Sequence, residues 1–399
     1  MTPFQTGRLA ELARVRSGYA FKSADWTIAG EAVLRIGNIR AGAVDLDGCA
    51  FVSKSTAEMA TDFEVAKGDV LIAMSGATVG KIGRVRFATT ALLNQRVGRF
   101  EVTDLNRLDT GFLYYFLQLS SSNEYLVGAA YGSAQPNISP SLIVNQQIPL
   151  PNLSEQRAIA EVLGALDDKI AANTNLARSS LEISSAIFQS HVRGIARSAS
   201  RFSDVAKISG GGTPSTKVPE FWAGDINWAT PSDVTALAGP YLRSTSRQIS
   251  DEGLQACSSS LFQPGAILMT SRATIGAFAI AQTATAVNQG FIVVEPIHEY
   301  MRYWLFHEMH SRVDEFLSLA NGATFLELSR GNFKKLPVRL AEPEVLNSFA
   351  EVAGSLHSSA AAAHRENETL AETRDALLPQ LMSGKLRVRD AENAVEAVV

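Results

Sequence analysis

Two kinds of hydrophobic pattern alternate along the chain. Short β-branched or apolar runs, at residues 33–36, 70–73 and 291–294, are separated by Gly, Pro, Asn and Asp, which is the punctuation of strands and turns. Two longer alanine-rich stretches, about 154–190 and 343–380, instead place apolar or small residues at alternating steps of four and three. In the first these are Ile159, Leu163, Leu166, Ile170, Asn173, Ala177, Ser180, Ser184 and Ile187. In the second they are Ala353, Leu356, Ala360, Ala363, Asn367, Leu370, Arg374, Leu377 and Leu381. This spacing predicts a coiled-coil seam, and at about 1.5 Å per residue each helix would be on the order of 50 Å long. Ser154, with Glu155 in the first turn, and Pro343 are the expected helix starts. An antiparallel register that sets Leu163 against Leu377 and Ile170 against Leu370 also sets Asn173 against Asn367, a polar pair able to pin the alignment. Two surface asparagines on amphipathic helices are the alternative.

The chain can also be laid onto itself with an offset of about 190 residues. Arg8-Leu9-Ala10-Glu11-Leu12-Ala13 recurs as Arg201-Phe202-Ser203-Asp204-Val205-Ala206. Gly68-Asp69-Val70-Leu71 with Ala77-Thr78-Val79-Gly80 recurs as Gly265-Ala266-Ile267-Leu268 with Ala273-Thr274-Ile275-Gly276, and Asn94-Gln95 as Asn288-Gln289. Further on, Gly132-Ser133-Ala134 with Ile138-Ser139 matches Gly322-Ala323-Thr324 with Leu328-Ser329, and Ile148-Pro149 matches Leu336-Pro337. The expected architecture is therefore α+β: two mixed, mostly β modules joined by two long antiparallel coiled-coil helices, with an internal pseudo-twofold repeat.

A length of 399 residues, 46% of them hydrophobic, supports at least two cores. The apolar runs fall far short of the ~18 residues a membrane span needs, and the N-terminus lacks a signal pattern, so a soluble, cytoplasmic protein without membrane partners is expected. Cys49 and Cys257 are too few and too far apart for a disulfide framework or metal cluster. A net charge of −4 argues against indiscriminate coating of DNA, although residues 1–100 hold thirteen Lys plus Arg against nine Asp plus Glu. Two fragments imitate catalytic motifs. In the segment from Ser75 to Ile82, Ser75 replaces the first glycine of a phosphate loop and Ile82 its magnesium ligand; in His307-Glu308-Met309-His310 the second histidine comes one residue too early for a zinc helix, and an ordinary helix surface is expected. Neither a dinucleotide fingerprint nor the Asn-Pro-Pro-aromatic tetrapeptide of adenine methyltransferases occurs, which counts against a self-sufficient methyltransferase.

One stretch is more specific. Gly211-Gly212-Thr213-Pro214-Ser215-Thr216-Lys217, then Pro219-Glu220-Phe221-Trp222, Gly224-Asp225-Ile226, Trp228 and Thr230-Pro231-Ser232-Asp233-Val234, resembles the opening of a target recognition domain in the specificity subunits of type I restriction-modification enzymes. The run from Leu377-Leu378-Pro379-Gln380 to Arg387-Val388 is similar to that family's closing motif. In the first half, Ile36-Gly37-Asn38-Ile39, Leu93-Asn94-Gln95 and Ile148-Pro149-Leu150-Pro151 with Glu155-Gln156-Arg157 agree as well. The second copy departs at Pro343-Glu344-Val345-Leu346 and Leu336-Pro337-Val338-Arg339, which puts the likeness of the two module-to-helix junctions in doubt. The resemblance implies target recognition domains at 1–152 and 198–341, spacer helices at 153–197 and 342–390, and a tail at 391–399. It further implies a non-catalytic subunit that reads a split sequence in double-stranded DNA. Its partners would be two copies of a methylation subunit, which binds S-adenosylmethionine, and a motor-nuclease restriction subunit. A repeat-built protein-binding scaffold, or an inhibitor of a restriction system, is the competing reading.

Base reading needs side chains that present paired donors and acceptors to groove edges, carried on loops of a rigid module. The candidates are Ser75, Thr78, Lys81, Asn94, Gln95, Arg96, Gln135 and Asn137 in the first module and Ser271, Arg272, Thr274, Asn288, Gln289, Asn321 and Thr324 in the second. Lys22, Arg40, Lys54, Arg84, Lys217 and Arg243 are candidate phosphate contacts. Asn94-Gln95 and Asn288-Gln289 occur in both copies, which favours a structural role such as closing a turn. Lys81 and Arg272 differ between copies and are better candidates for specificity. Trp222 and Trp228 could stack on bases, but tryptophans beside Gly and Pro more often anchor a module core.

Overall fold

The computed structural model describes residues 4–130, 136–196, 200–322 and 326–396. The chain forms two compact units, one of residues 1–170 with 369–399 and the other of residues 171–368. Each long helix, Leu153–Val192 and Pro343–Met382, therefore gives part of its length to each unit. No described helix is long and apolar enough to cross a membrane.

The repeat is a repeat of topology. In the first unit a five-stranded sheet runs in the order Ala13–Ser17, Val97–Val102, Val70–Ala73, Ile82–Arg84, Gly42–Ala43. In the second the order is Ala206–Ser209, Phe291–Pro296, Ile267–Thr270, Phe278–Ala281, Tyr241–Leu242, with the same antiparallel pairs and the same parallel strand at the edge. The central strands Val70–Ala73 and Ile267–Thr270 are buried along their whole length, as their unbroken apolar runs require. Each unit also has a second sheet with a parallel pair, Glu31–Leu34 with Ala91–Leu93 in the first and Ile226–Ala229 with Thr285–Val287 in the second.

Within each unit the helices run antiparallel. In the second unit Asn173 Nδ2 donates to Glu366 Oε2 (2.9 Å) and Asn367 Nδ2 to Thr174 Oγ1 (3.1 Å), while Phe188 meets Phe349 (ring centroids 6.1 Å). The two asparagines stand at one level, as expected, but each bonds to the neighbour of the other instead of to the other. In the first unit Arg374 donates to Asp167 (2.8 Å), whose second oxygen accepts from Tyr115, so the ladder of polar contacts also ties helix to module. Leu163, Leu166, Leu370 and Leu381 are fully buried around it.

The helix ends differ from expectation. Asn152, not Ser154, caps the first helix, its Oδ1 accepting from Glu155 N–H (2.9 Å). The second helix stops at Met382 because Gly384 takes a left-handed φ of 70°, with Gly384 N–H on Leu381 O and Lys385 N–H on Gln380 O. Beyond it a separate helix, Val388–Glu396, takes in the last residues of the expected spacer helix and runs into the tail expected from 391, and it buries Ala391 in the first unit's core.

The segment expected to be a helix surface, His307-Glu308-Met309-His310, belongs to Arg302–His310, in which residues 304–309 are all buried. Apolar side chains point from every side of this short helix, so its polar groups had to find partners inside. Glu308 accepts from Arg312 (3.0 Å) and Arg339 (2.9 Å) with its own side chain wholly buried. Beside it, His307 Nε2 lies 2.8 Å from Ser184 Oγ and 3.1 Å from His357 Nε2, and His357 Nδ1 lies 2.9 Å from the Tyr241 hydroxyl. His357 takes the seam position expected of Leu356, which is only half-buried.

Two measurements test this core. Removing the Glu308 carboxylate leaves buried guanidinium groups without their counter-charge, so Glu308→Ala should lose about 3–5 kcal/mol in denaturant unfolding of the second unit; a loss below 1 kcal/mol contradicts the ion-pair account. Burial holds His307 down to about 3 and His357 to about 4. Folded pKa values below the unfolded one mean that the unfolded chain takes up protons first. Stability should therefore be full above about pH 6.5 and fall toward pH 4 with a slope approaching 2–3 kcal/mol per pH unit. The double variant H307Q/H357Q should flatten that slope, and an unchanged slope would contradict the assignment.

Candidate nucleic-acid interface

The loops singled out in the sequence are held by one set of backbone bonds, made twice. In the first module Asn94 N–H donates to Leu34 O (3.0 Å), Arg96 N–H to Asn94 Oδ1 (3.4 Å), Met74 N–H to Arg96 O (2.9 Å) and Ile138 N–H to Met74 O (2.9 Å). In the second, Asn288 N–H donates to Ala229 O (3.0 Å), Gly290 N–H to Asn288 Oδ1 (2.8 Å), Ser271 N–H to Gly290 O (2.8 Å) and Leu328 N–H to Ser271 O (3.0 Å). Asn94 and Asn288 thus close turns, an asparagine side chain doing what a backbone carbonyl does elsewhere. Their exposed neighbours Gln95 and Gln289 ride on those turns, and Gln289 also accepts from Thr213 Oγ1 (2.6 Å).

These bonds define which positions correspond. Met74 matches Ser271 and Arg96 matches Gly290. The bridges Ser75 with Asn137 and Arg272 with Glu327 make Ser75 the counterpart of Arg272, and Asn137 that of Glu327. Lys81, whose carbonyl accepts from Ala73 N–H, corresponds to Ala277, whose carbonyl accepts from Thr270 N–H. Lys81 and Arg272 are therefore not counterparts of each other. The second loop is one residue shorter, with Ala273 at a φ of 57°, a left-handed conformation that alanine adopts at a cost of order 1–2 kcal/mol.

The first module gathers Ser75, Gln95, Arg96 and Asn137 around a cleft of about 790 Å³. Arg96 is exposed, and its side chain makes no ion pair or side-chain hydrogen bond among the described residues. Ser75 is 95% buried, and its Oγ has no hydrogen-bond partner among the described residues. Thr78 serves the fold, donating to Ile36 O (3.3 Å), while Lys81 is exposed. In the second module Ser271 is buried, Arg272 pairs through Nε with Glu327 (2.9 Å), and Asn321 bridges to the same Glu327 through the backbone. Thr274 is exposed, with its carbonyl accepting from Thr270 Oγ1. Gln135 and Thr324 lie outside the described residues.

Among the six candidate phosphate contacts, Lys22, Lys217 and Arg243 are exposed. Arg40 is engaged by Asp45 (3.2 Å), and the Arg84 guanidinium lies 5.9 Å from the Tyr114 ring centroid. Lys54 shares a cleft with Glu31, Glu58 and Glu64, carboxylates that repel a phosphate. Trp228 is buried and donates to Gly212 O (3.0 Å), and Trp222 donates to Ser215 O (3.1 Å), so both brace the glycine-rich strand exit. Above them the Arg247 guanidinium stacks 3.4 Å from the Trp222 ring centroid. Nearby, partial burial alone would raise the Asp233 carboxyl, but hydrogen bonds from Thr230 and Ser246 hold it below its ordinary range.

Sequence reasoning missed Glu327 and Arg247. Glu327 could have been found, because it stands immediately before Leu328 as Asn137 stands before Ile138. Arg247 carried no signal, since its partner tryptophan is 25 residues away and no spacing links them.

Comparison with known proteins follows the same lines. Residues 1–179 and 198–344 match the family model described as type I restriction modification DNA specificity domain. The chain is 34% identical over 175 residues to the type I restriction enzyme MjaIX specificity subunit of Methanocaldococcus jannaschii, covering 43% of this chain and 40% of that protein. It is 30% identical over 167 residues to the MjaVIII specificity subunit of the same organism, covering 41% and 39%. These matches thus span about two fifths of each relative's length. In fold, the chain is similar to the S subunit of a type I restriction-modification system from M. genitalium, with a TM-score of 0.62 at 16% identity over 96% of this chain and 99% of that one.

Proposed function

The chain belongs to the type I restriction modification DNA specificity family, and on that premise we propose that it is the DNA-reading specificity subunit of a type I restriction-modification complex. Each module reads one half of a split target in double-stranded DNA. The two helices, 40 residues and so about 60 Å long each, set the unread spacer between the halves. This chain carries no catalytic step: methyl transfer belongs to a methylation subunit that binds S-adenosylmethionine, and a motor-nuclease subunit completes the restriction complex. A chain that contains its docking surface twice can hold two copies of the methylation subunit.

One observation carries this reading. The two modules keep the same turn-closing asparagine and the same backbone bonds, yet at matched loop positions they present Ser75, Arg96 and Asn137 in one and Arg272, Gly290 and Glu327 in the other. A constant frame with different hydrogen-bonding side chains is what two readers of different short sequences require. A scaffold that only bound protein would gain nothing from keeping the frame and changing those positions.

The test is complementation. Purified chain alone should transfer no methyl group from S-adenosylmethionine to DNA, and addition of the methylation subunit should produce methylation confined to one split motif. Transfer by the chain alone, or a stable complex that methylates no motif, contradicts the proposal.

A further inference from the structure

Building on the reading of each module as a half-site reader, we propose that Arg96 and Arg272 are the guanine-reading side chains of the first and second modules, presented from different positions of the same loop frame. Guanine offers two acceptors, O6 and N7, on its major-groove edge, and the planar guanidinium fork matches them with two parallel donors. Each module supplies one guanidinium at the matched loops.

In the first module the backbone of Arg96 is held on both sides, its N–H by Asn94 Oδ1 and its carbonyl by Met74 N–H, while its side chain has no hydrogen-bond or ion-pair partner among the described residues. It stands at the cleft that Ser75, Gln95 and Asn137 line. Ser75 Oγ is the second sign of a ligand there. Ser75 lines that cleft, and a buried hydroxyl with no partner among the described residues is rare in a folded protein.

The second module carries glycine, Gly290, at the same position. A Cβ at residue 290 would lie 3.0 Å from Asn288 Oδ1 and 3.1 Å from Pro231 Cγ, tighter than most such contacts, so any side chain there would press on the turn-closing asparagine and on Pro231. The guanidinium comes instead from Arg272, at the place of Ser75. Glu327, at the place of Asn137, approaches Arg272 at Nε (2.9 Å), which leaves the Nη1–Nη2 edge for a ligand. Glu327 is a positioning residue: it fixes the plane of the fork without itself contacting the base. A phosphate contact would not call for this rearrangement, because both modules grip the same backbone and phosphates carry no sequence.

The experiment determines the methylated motif for the full chain with its methylation subunit, and again for R96A, R272A and E327Q. For R96A one G·C position in one half-site should become degenerate, with discrimination there falling roughly ten- to a hundred-fold and the other half unchanged. R272A should do the same in the other half, and E327Q should relax the base that R272A relaxes and no other. The unaltered half-site reports that each variant is folded. Unchanged motifs with weaker methylation of every site and a shallower salt dependence would identify phosphate contacts and overturn the assignment, as would a half-site without guanine. If the parent chain yields no split motif, the reading beneath fails as well.

Discussion

An asparagine side chain that closes a turn on the amide two residues ahead, Asn94 on Arg96 and Asn288 on Gly290, sets the frame on which each module's surface chemistry depends. Because the amide and carbonyl of that third residue are both bonded, the loop is held through its backbone, with an arginine there in one module and a glycine in the other. Neighbouring positions are then free to differ, and they do: a serine, an asparagine and an exposed arginine in one module, an arginine braced by a glutamate in the other. Rigidity of the frame and variety of the side chains are two results of one set of hydrogen bonds.

The helices follow a related rule with polar groups in place of turns. Small residues such as Ala177, Ala360 and Ala363 let the backbones approach, but alanine against alanine defines no register. Asn173, Thr174, Glu366 and Asn367 do, because a shift of one turn would leave their amides and carboxylate without partners. Buried polar groups also join helix to module within each unit, through Asp167 and Tyr115 in the first and through His307, His357, Ser184 and Tyr241 in the second. Such contacts add little net energy when complete and are costly when broken, so they specify one arrangement over its neighbours.

How much was legible beforehand depended on whether the signal was local. The repeat, the two helices and their alignment to within a residue were visible, since heptad spacing and repeated motifs lie along the chain. The helix Arg302–His310 differs from expectation because its residues 304–309 are buried all round, His307 and Glu308 included, so it has no amphipathic period, and because Glu308 is neutralised by Arg339, which is 31 residues away. His357 displaced Leu356 from the seam for a similar reason: its partners, His307 and Tyr241, come from the module and not from the helix. In the loops, the correspondence between the two modules was not legible. One residue fewer after Ser271 than after Met74 cannot be placed by eye, and only the backbone bonds show that Arg272 stands where Ser75 does.

The central claim is that two independent readers share one chain. It is tested most directly by sequencing the methylated genome of cells that express this chain with a methylation subunit, and of cells in which residues 201–340 are replaced by another module. A split motif is expected of which one half changes and the other half and the spacer stay the same. A motif in which both halves change together, or one without a spacer, would contradict it.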